Sequence, residues 1–280
     1  MRATSTSYVP AMPDATRRWV EAALARRPRG LLSDIDGTLS AIASSPEEAR
    51  LLRGVRPLLR RLSVSFDVVT AISGRHALDA RRMVGLPQLT YIGNHGLESL
   101  APGARAPVVA PAALAWQDAI ADTLHEAREQ LGARFPLLRF ENKGVTASIH
   151  YRQAPDPAAA HAAIRRALDP LARRRELRVT EGRLVVELRP PLDHDKGASA
   201  RALVRERRLA CALYLGDDRT DIDAFIALRD LRASGDCEGI AVAVGSAEAP
   251  ATLSAAADIT LASIAEVPPF LRWVLRITGG

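Results

Sequence analysis

Residues 31–39 read LLSDIDGTL. The apolar run Gly30, Leu31, Leu32 stops abruptly at Ser33-Asp34-Ile35-Asp36-Gly37-Thr38. This is how a buried strand reads when it delivers two carboxylates to its carboxyl end and then turns on a glycine. In open α/β sheets, ligands sit just outside the carboxyl ends of the strands. Asp34 and Asp36 are two residues apart, so a continuing strand would put both on one face. Two carboxylates that close repel unless a cation neutralises them, and an oxygen-ligated divalent metal such as Mg²⁺ meets that need. An Asp-rich turn is the plainer reading, because Asp, Gly and Thr are all turn residues. The rest of the chain decides between the two.

The 280 residues allow one large domain or two smaller ones, and 48% apolar residues suffice for a packed core. No stretch approaches the twenty or so apolar residues that cross a bilayer, and the amino-terminal segment lacks the apolar core of a signal peptide. Cys211 and Cys237 are the only cysteines, and they read as two thiols in a reducing compartment. The expectation is therefore a cytoplasmic protein with no membrane partner. The net charge of +6 suits an anionic ligand. The Arg-rich runs fall at helical spacing and read as solvated faces, and aromatics make up only 4%, which argues against nucleic acid. Of the 38 basic residues only Lys143 and Lys196 are lysines. A compact ammonium in so Arg-biased a chain marks positions where a wide guanidinium cannot serve, so both are site candidates.

Outward from 31–39, a helix is expected before the first strand, over 16–27. Another is expected from Ser45 as N-cap, with Pro46 in its first turn, through about Leu62. Strands at 66–72 and 89–92 end in Ser73-Gly74-Arg75 and Gly93-Asn94-His95-Gly96. This is the βαβ rhythm of a doubly wound, Rossmann-like parallel sheet. The pattern then changes. A Pro/Ala-rich linker leads to a helix over 112–133, strands over 137–143 and 145–152, and a helix over 157–174. A hairpin over 176–180 and 183–189 follows, turning at Glu181-Gly182. This reads as an inserted α+β cap. After Pro190-Pro191 the βαβ rhythm resumes: a helix from Lys196, a strand ending in Gly216-Asp217-Asp218, a helix from Asp221, and a strand over 240–244. The expected division is core over 1–101, cap over 102–190 and core again over 191–280.

Asp34/Asp36, Ser73, Lys196 and the Asp217/Asp218/Asp221 group thus fall at four strand or helix ends. In that order they resemble the four motifs of the haloacid dehalogenase-like hydrolases. ISGR at 72–75, GNHGLE at 93–98, ENKG at 141–144, ELRP at 187–190, KG at 196–197 and LGDDRTDIDAF at 215–225 resemble, more narrowly, the trehalose-6-phosphate phosphatase family. Ile222 departs from it, since the family usually has Glu there.

The resemblance implies a Mg²⁺-dependent phosphatase acting on trehalose 6-phosphate, with Asp34 as nucleophile and Asp36 as general acid and base. Mg²⁺ would be held by Asp34, the backbone carbonyl of Asp36, and Asp217, with Asp218 and Asp221 orienting the site. Ser73 and the amides of Gly74 and Thr38 would donate to the phosphate, and Lys196 would add charge. The cap would close over this face as a lid. Glu141, Lys143 and Glu181 would reach the glucose hydroxyls, with Asn94 and His95 near the phosphorylated sugar.

Other readings stand beside these. Ser73 could instead cap the following helix, and Arg75 could touch phosphate or form an ion pair. His150 suits a core or surface role, and His76, His125, His161 and His194 read as surface residues. The alternative functions are a phosphatase of another sugar phosphate and a non-catalytic phosphosugar-binding module.

Overall fold

A computed structural model describes residues 8–43, 45, 47–246 and 249–279. The chain divides into two compact units, residues 1–107 with 194–280, and residues 108–193.

The first unit opens with α1 (Asp14–Ala25), β1 (Arg29–Ser33), α2 (Val55–Ser65), β2 (Val68–Ile72), α3 (Ala77–Val84), β3 (Thr90–Gly93) and β4 (Glu98–Leu100). The second unit follows, with β5 (Val108–Val109), α4 (Pro111–Leu114), α5 (Gln117–Leu131), β6 (Arg139–Asn142), β7 (Ala147–His150), α6 (Pro157–Arg174), β8 (Arg178–Gly182) and β9 (Val185–Arg189). The first unit then resumes with α7 (Lys196–Arg207), β10 (Cys211–Gly216), α8 (Arg219–Ala233), β11 (Glu238–Val244), α9 (Ala251–Ala256), β12 (Ile259–Leu261) and α10 (Val267–Ile277).

Strands of the first unit lie in the order β12-β11-β10-β1-β2-β3-β4. All pair in parallel except β4, which is antiparallel to β3. The chain builds outward from β1 in one direction and from β10 in the other, so the winding reverses between these two strands. That switch point is where an open α/β sheet leaves a crevice at its carboxyl edge. The central strands are buried on both faces, which explains their unbroken apolar runs. Alternate residues feed two cores. Leu31, Leu213, Leu215, Ile240 and Val242 join α2, α3 and α10 on one side. Leu32, Ala212, Tyr214, Ala241 and Ala243 join α7 and α8 on the other. Cys211 and Cys237 are both free and buried.

In the second unit, a four-stranded antiparallel sheet of order β6-β7-β9-β8 packs one face on α5 and α6. Ala147, Ile149, Val186 and Leu188 meet Ile120, Leu124, Ile164 and Leu168 there. Among the described residues, no helix is long and apolar enough to cross a membrane.

Three local expectations need correction. Ser45 does not open a helix; α2 begins only at Val55, and Pro46 lies outside the described residues. Ser40 bridges both Asp36 and Leu51, and Leu52 donates to the Leu39 carbonyl at 2.9 Å, which holds residues 39–40 against 51–52. Gly54, at φ +87°, then sets the helix start in a conformation that glycine tolerates best. The expected helix over 112–133 is broken between α4 and α5 at Ala115-Trp116. The cap hairpin turns at Arg183-Leu184 rather than Glu181-Gly182, because Gly182 pairs with Val185 and Leu184 takes φ +57°.

Candidate active site

β1 ends at Ser33, and the Asp34 amide extends its ladder by donating to the Leu215 carbonyl of β10 at 2.9 Å. Ile35 anchors in the core, fully buried, and its carbonyl accepts from the amides of Leu39 and Ser40. The chain therefore curls back at once. Gly37, at φ +93°, makes the curl, and a Cβ there would lie 2.0 Å from Asp217 Oδ2. Glycine is required twice over, for the dihedral and for the approach of the neighbouring strand's carboxylate.

The curl corrects the expectation that Asp34 and Asp36 share a face. Asp34 turns inward and is 5% exposed, with Lys196 as its partner. Asp36 turns to Arg75, whose Nε and Nη2 donate to its two oxygens at 2.6 Å each. Each carboxylate thus has its own cation, which relieves their mutual repulsion. Arg75 is accordingly an ion-pair partner in this structure.

Lys196 begins α7, whose N-cap Asp195 accepts from the Ala198 amide at 2.6 Å. Gly197 allows α7 to settle against α8, since a Cβ there would meet the Asp223 carbonyl oxygen at 2.4 Å. From this start Lys196 Nζ donates to Asp34 Oδ1 at 2.6 Å and to Asp221 Oδ1 at 2.7 Å. Asp221 also accepts from the Tyr214 hydroxyl at 2.8 Å and from the amides of Asp217 and Asp218 at 3.1 and 3.0 Å. It can reach back this way because Gly216 has no side chain; a Cβ would lie 2.3 Å from Asp221 Cγ. Asp218 caps α8 and forms a capping box with Asp221. Thr38 places its hydroxyl on Asp217 Oδ1 at 2.9 Å, and its amide closes the curl on the Ile35 carbonyl at 3.3 Å.

The electrostatics follow from burial. Desolvation pushes the Asp34 carboxyl well above its ordinary range; Lys196 opposes this, and Asp221, Asp217 and Asp36 add to it. Burial alone would discharge Lys196, but Asp221 and Asp34 outweigh it and raise the pKa of the ammonium above its ordinary value. The Tyr214 phenol is also raised, by burial first and then by Asp221 and Asp34, so it stays a donor.

Asp34, Asp217 and Asp221 bring carboxylate oxygens within 4.8 Å of one another. Three buried carboxylates around one ammonium leave excess negative charge, and an oxygen-only donor set fits a hard divalent cation. Asp221 is taken up by four donors, which points to Asp34 and Asp217 as the pair that could hold such an ion.

On the β2 side, Ser73 is buried, donates its amide to the Ile92 carbonyl at 2.9 Å, and accepts at Oγ from the Arg75 amide at 3.2 Å. It does not cap α3. That role belongs to His76, whose Nδ1 accepts from the Leu78 amide at 3.3 Å, so His76 is not a plain surface residue. Asn94 and His95 form a short 3₁₀ turn after β3, both at positive φ and both buried. The His95 ring covers Gly74, where a Cβ would lie 2.5 Å from Nε2. Ser73, Gly74, Asn94 and His95 therefore form one neighbourhood beside Arg75. Glu98 props it from beneath: it is buried, accepts from the Ala77 amide at 2.5 Å, hydrogen-bonds the Asn94 side chain, and stands 3.4 Å from His76 Nε2. Burial raises its carboxyl pKa.

In the second unit, the cross-strand register aligns Glu141, Ser148, Glu187 and Thr180 in one row on the sheet face opposite the helices. Lys143 Nζ stands 3.4 Å from Glu187 Oε1, and the Ser148 hydroxyl donates to the same oxygen at 3.4 Å. His150 lies on this face too, 2.9 Å from Glu141. Glu181 is not among them. It pairs with Val186 in the register and meets Arg165 and His161 of α6, at 2.6 and 3.1 Å, on the helix-covered side. The single-residue alternation of a strand separates it from Glu141 and Lys143. His161 thereby contacts Glu181 through its ring nitrogen, while His125 is exposed and faces Glu129 at 3.4 Å.

Sequence reasoning gave no role to three residues that the structure ties to these clusters: Tyr214, Glu98 and Glu187. Glu187 and Glu98 lie inside quoted motifs and could have been found there. Tyr214 sits in an apolar strand and carries no signal of its own.

Comparison with known proteins shows the family and the fold. Residues 32–262 match the family model for trehalose-phosphatase. A trehalose-phosphate phosphatase of Mycobacterium avium is 36% identical over 240 residues, covering 83% of this chain and 59% of the relative. The chain thus spans under two thirds of that relative's length. The C-terminal domain of Candida albicans trehalose-6-phosphate phosphatase superposes with a TM-score of 0.76 at 24% identity, over 97% of this chain and 99% of that one. The C-terminal domain of a Candida albicans trehalose synthase regulatory protein has the same fold, with a TM-score of 0.63 at 17% identity over 94% and 98% of the two chains.

Proposed function

The chain belongs to the trehalose-phosphatase family, and from that premise we propose that it is a Mg²⁺-dependent phosphatase that converts trehalose 6-phosphate to trehalose and phosphate. The observation that carries the proposal is the Asp34 carboxylate at the switch point, with Lys196 on one oxygen and Asp217 beside it. Mg²⁺ would be held by Asp34, the Asp36 carbonyl and Asp217, and when bound it would supply charge neutralisation between the nucleophile and the phosphate.

In the first half, an Asp34 oxygen attacks phosphorus, the ester bond to the sugar oxygen breaks, and Asp36 gives that oxygen a proton. In the second, Asp36 takes a proton from the water that attacks phosphorus, which releases phosphate and restores Asp34. Lys196, held charged, screens Asp34 from Asp221 and adds positive charge next to the phosphoryl group. Ser73, Gly74 and Thr38 are assigned to the phosphate. Here the observed bonds of Thr38 favour a supporting part, with its hydroxyl fixing Asp217.

The inserted unit is assigned the selection of the sugar through Glu141, Lys143 and the adjoining Glu187, whose carboxylates and ammonium suit hydroxyl groups. Asn94 and His95 are assigned to the sugar nearest the phosphate. Glu181, on the other side of its sheet, is left out of that set. The two buried free thiols support a reducing, cytoplasmic setting.

The fold is shared by a protein described as regulatory, so a non-catalytic sugar-phosphate binder is the second reading. The intact Asp34, Asp36, Lys196 and Asp217 set favours catalysis. Phosphate release from a panel of sugar phosphates, with Mg²⁺ and with a chelator, separates them. Preferential, chelator-sensitive turnover of trehalose 6-phosphate is expected. Equal turnover of many sugar phosphates would overturn the substrate assignment, and binding without turnover would favour the second reading.

A further inference from the structure

We propose that Arg75 is a positioning residue for Asp36, acting on the proton transfers to the sugar oxygen and from water rather than on the phosphoryl group. The proposal rests on the phosphatase reading above.

Four observations carry it. The Arg75 Nε and Nη2 edge is spent on the two oxygens of Asp36, at 2.6 Å each. Bidentate, charge-assisted pairs of this kind fix the direction of a carboxylate as well as holding it. The Arg75 side chain is 14% exposed and that of Asp36 is 35% exposed, so the guanidinium is the sheltered member and the carboxylate the one open to a ligand. The Arg75 backbone is pinned on both sides: its amide donates to Ser73 Oγ at 3.2 Å and its carbonyl accepts from the Asn94 amide at 2.9 Å. Finally, Gly93 lies directly against that carbonyl, where a Cβ would come within 2.8 Å. The guanidinium is thus anchored from a rigid base.

The Asp36 backbone is bridged to Ser40, while its carboxylate is held through Arg75. Asp36 sits immediately before the left-handed Gly37, and its side chain reaches toward solvent. A general acid must keep its oxygen within hydrogen-bond reach of the leaving oxygen, and small misplacements cost large factors in rate. Arg75 supplies that constraint. Its own proton inventory does not change, since a guanidinium stays charged. When Asp36 carries the proton, its other oxygen still accepts from Arg75. When Asp36 is ionised, both oxygens do. The proton moves from Asp36 to the ester oxygen as the P–O bond breaks, and returns to Asp36 from the attacking water.

The test uses leaving groups of different proton demand. Single-turnover rates of phosphoryl transfer are measured on trehalose 6-phosphate, whose leaving alkoxide needs a proton, and on p-nitrophenyl phosphate, whose leaving phenolate does not. The wild type, Arg75→Ala, Arg75→Lys, Asp36→Asn and the Arg75→Ala/Asp36→Asn double variant are compared with Mg²⁺ present. The Arg75→Ala loss on the sugar phosphate should reach about 100-fold and exceed its loss on the aryl phosphate by at least about tenfold, within the range of general-acid effects. Arg75→Lys should lie between wild type and Arg75→Ala, and the double variant should be no slower than Asp36→Asn alone. Equal losses on both substrates, a rise in KM with the rate unchanged, or multiplying losses in the double variant would overturn the proposal. A wild-type protein inert on both phosphates would instead overturn the phosphatase reading itself.

Discussion

Lys196 Nζ stands 2.6 Å from Asp34 Oδ1, although the two residues are 162 positions apart. The strand leading into Asp34 and the helix beginning at Lys196 lie on opposite sides of the inserted unit in the sequence and meet because the sheet winds outward from the gap between β1 and β10. The inserted unit separates them in sequence without separating them in space. The same ammonium reaches Asp221 at 2.7 Å, so one cation serves the proposed nucleophile and the residue that ties the β10 loop together.

Lys196→Met removes that cation and leaves two buried carboxylates facing each other. Phosphate release should fall by about 10³-fold, and stability should drop by about 3–5 kcal/mol, the usual consequence of breaking a buried pair from one side. Chemical denaturation and a turnover assay on the same preparation check both. Loss of activity with unchanged stability would mean that the lysine acts on substrate alone.

Gly37→Ala should be more damaging than its size suggests. The added methyl would fall 2.0 Å from Asp217 Oδ2 on a backbone at φ +93°. Asp217 must move, and with it the Thr38 hydroxyl bond. A loss of at least about 100-fold in turnover, with about 1–3 kcal/mol of stability, is expected. Thr38→Val, which removes the hydroxyl without the clash, should be milder. Near-wild-type turnover of Gly37→Ala would contradict the assigned close approach.

The sheet and the candidate site were legible because strand ends announce themselves: apolar runs stopping at Asp34, Ser73, Asn94 and Asp217 fix both the topology and the edge where ligands gather. Partner choice was not legible. Asp34 and Asp36 look equivalent at a spacing of two, and only the Gly37 curl sends them to Lys196 and Arg75. Glu181 shows the limit most plainly. Its turn-like Glu-Gly dipeptide reads as a hairpin tip, but a shift of two residues in the turn makes it a strand residue on the helix-covered face. Register within a hairpin depends on packing that a short sequence window does not contain.

Glu141 gives a pH signature confined to the second unit. Burial opposes its ionisation, but the His150 hydrogen bond and the charges of Lys143, His150 and Arg139 prevail and pull the carboxyl down from 4.5 to about 2. A depressed carboxyl stabilises the fold fully above about pH 4.5, and that contribution is lost as pH falls through about 2. Glu141→Gln should therefore lower the melting temperature at pH 7, and the gap to wild type should shrink progressively from about pH 4.5 to about pH 2. A gap independent of pH would show that the carboxylate's charge is not what stabilises this face.

The central claim is that Asp34 is the covalent carrier of phosphate. Enzyme mixed with trehalose 6-phosphate labelled at phosphorus, quenched in acid within a turnover and digested, should yield one labelled peptide, the one containing Asp34, and Asp34→Asn should yield none. A turning-over enzyme that carries no label, or carries it on another residue, would contradict the account.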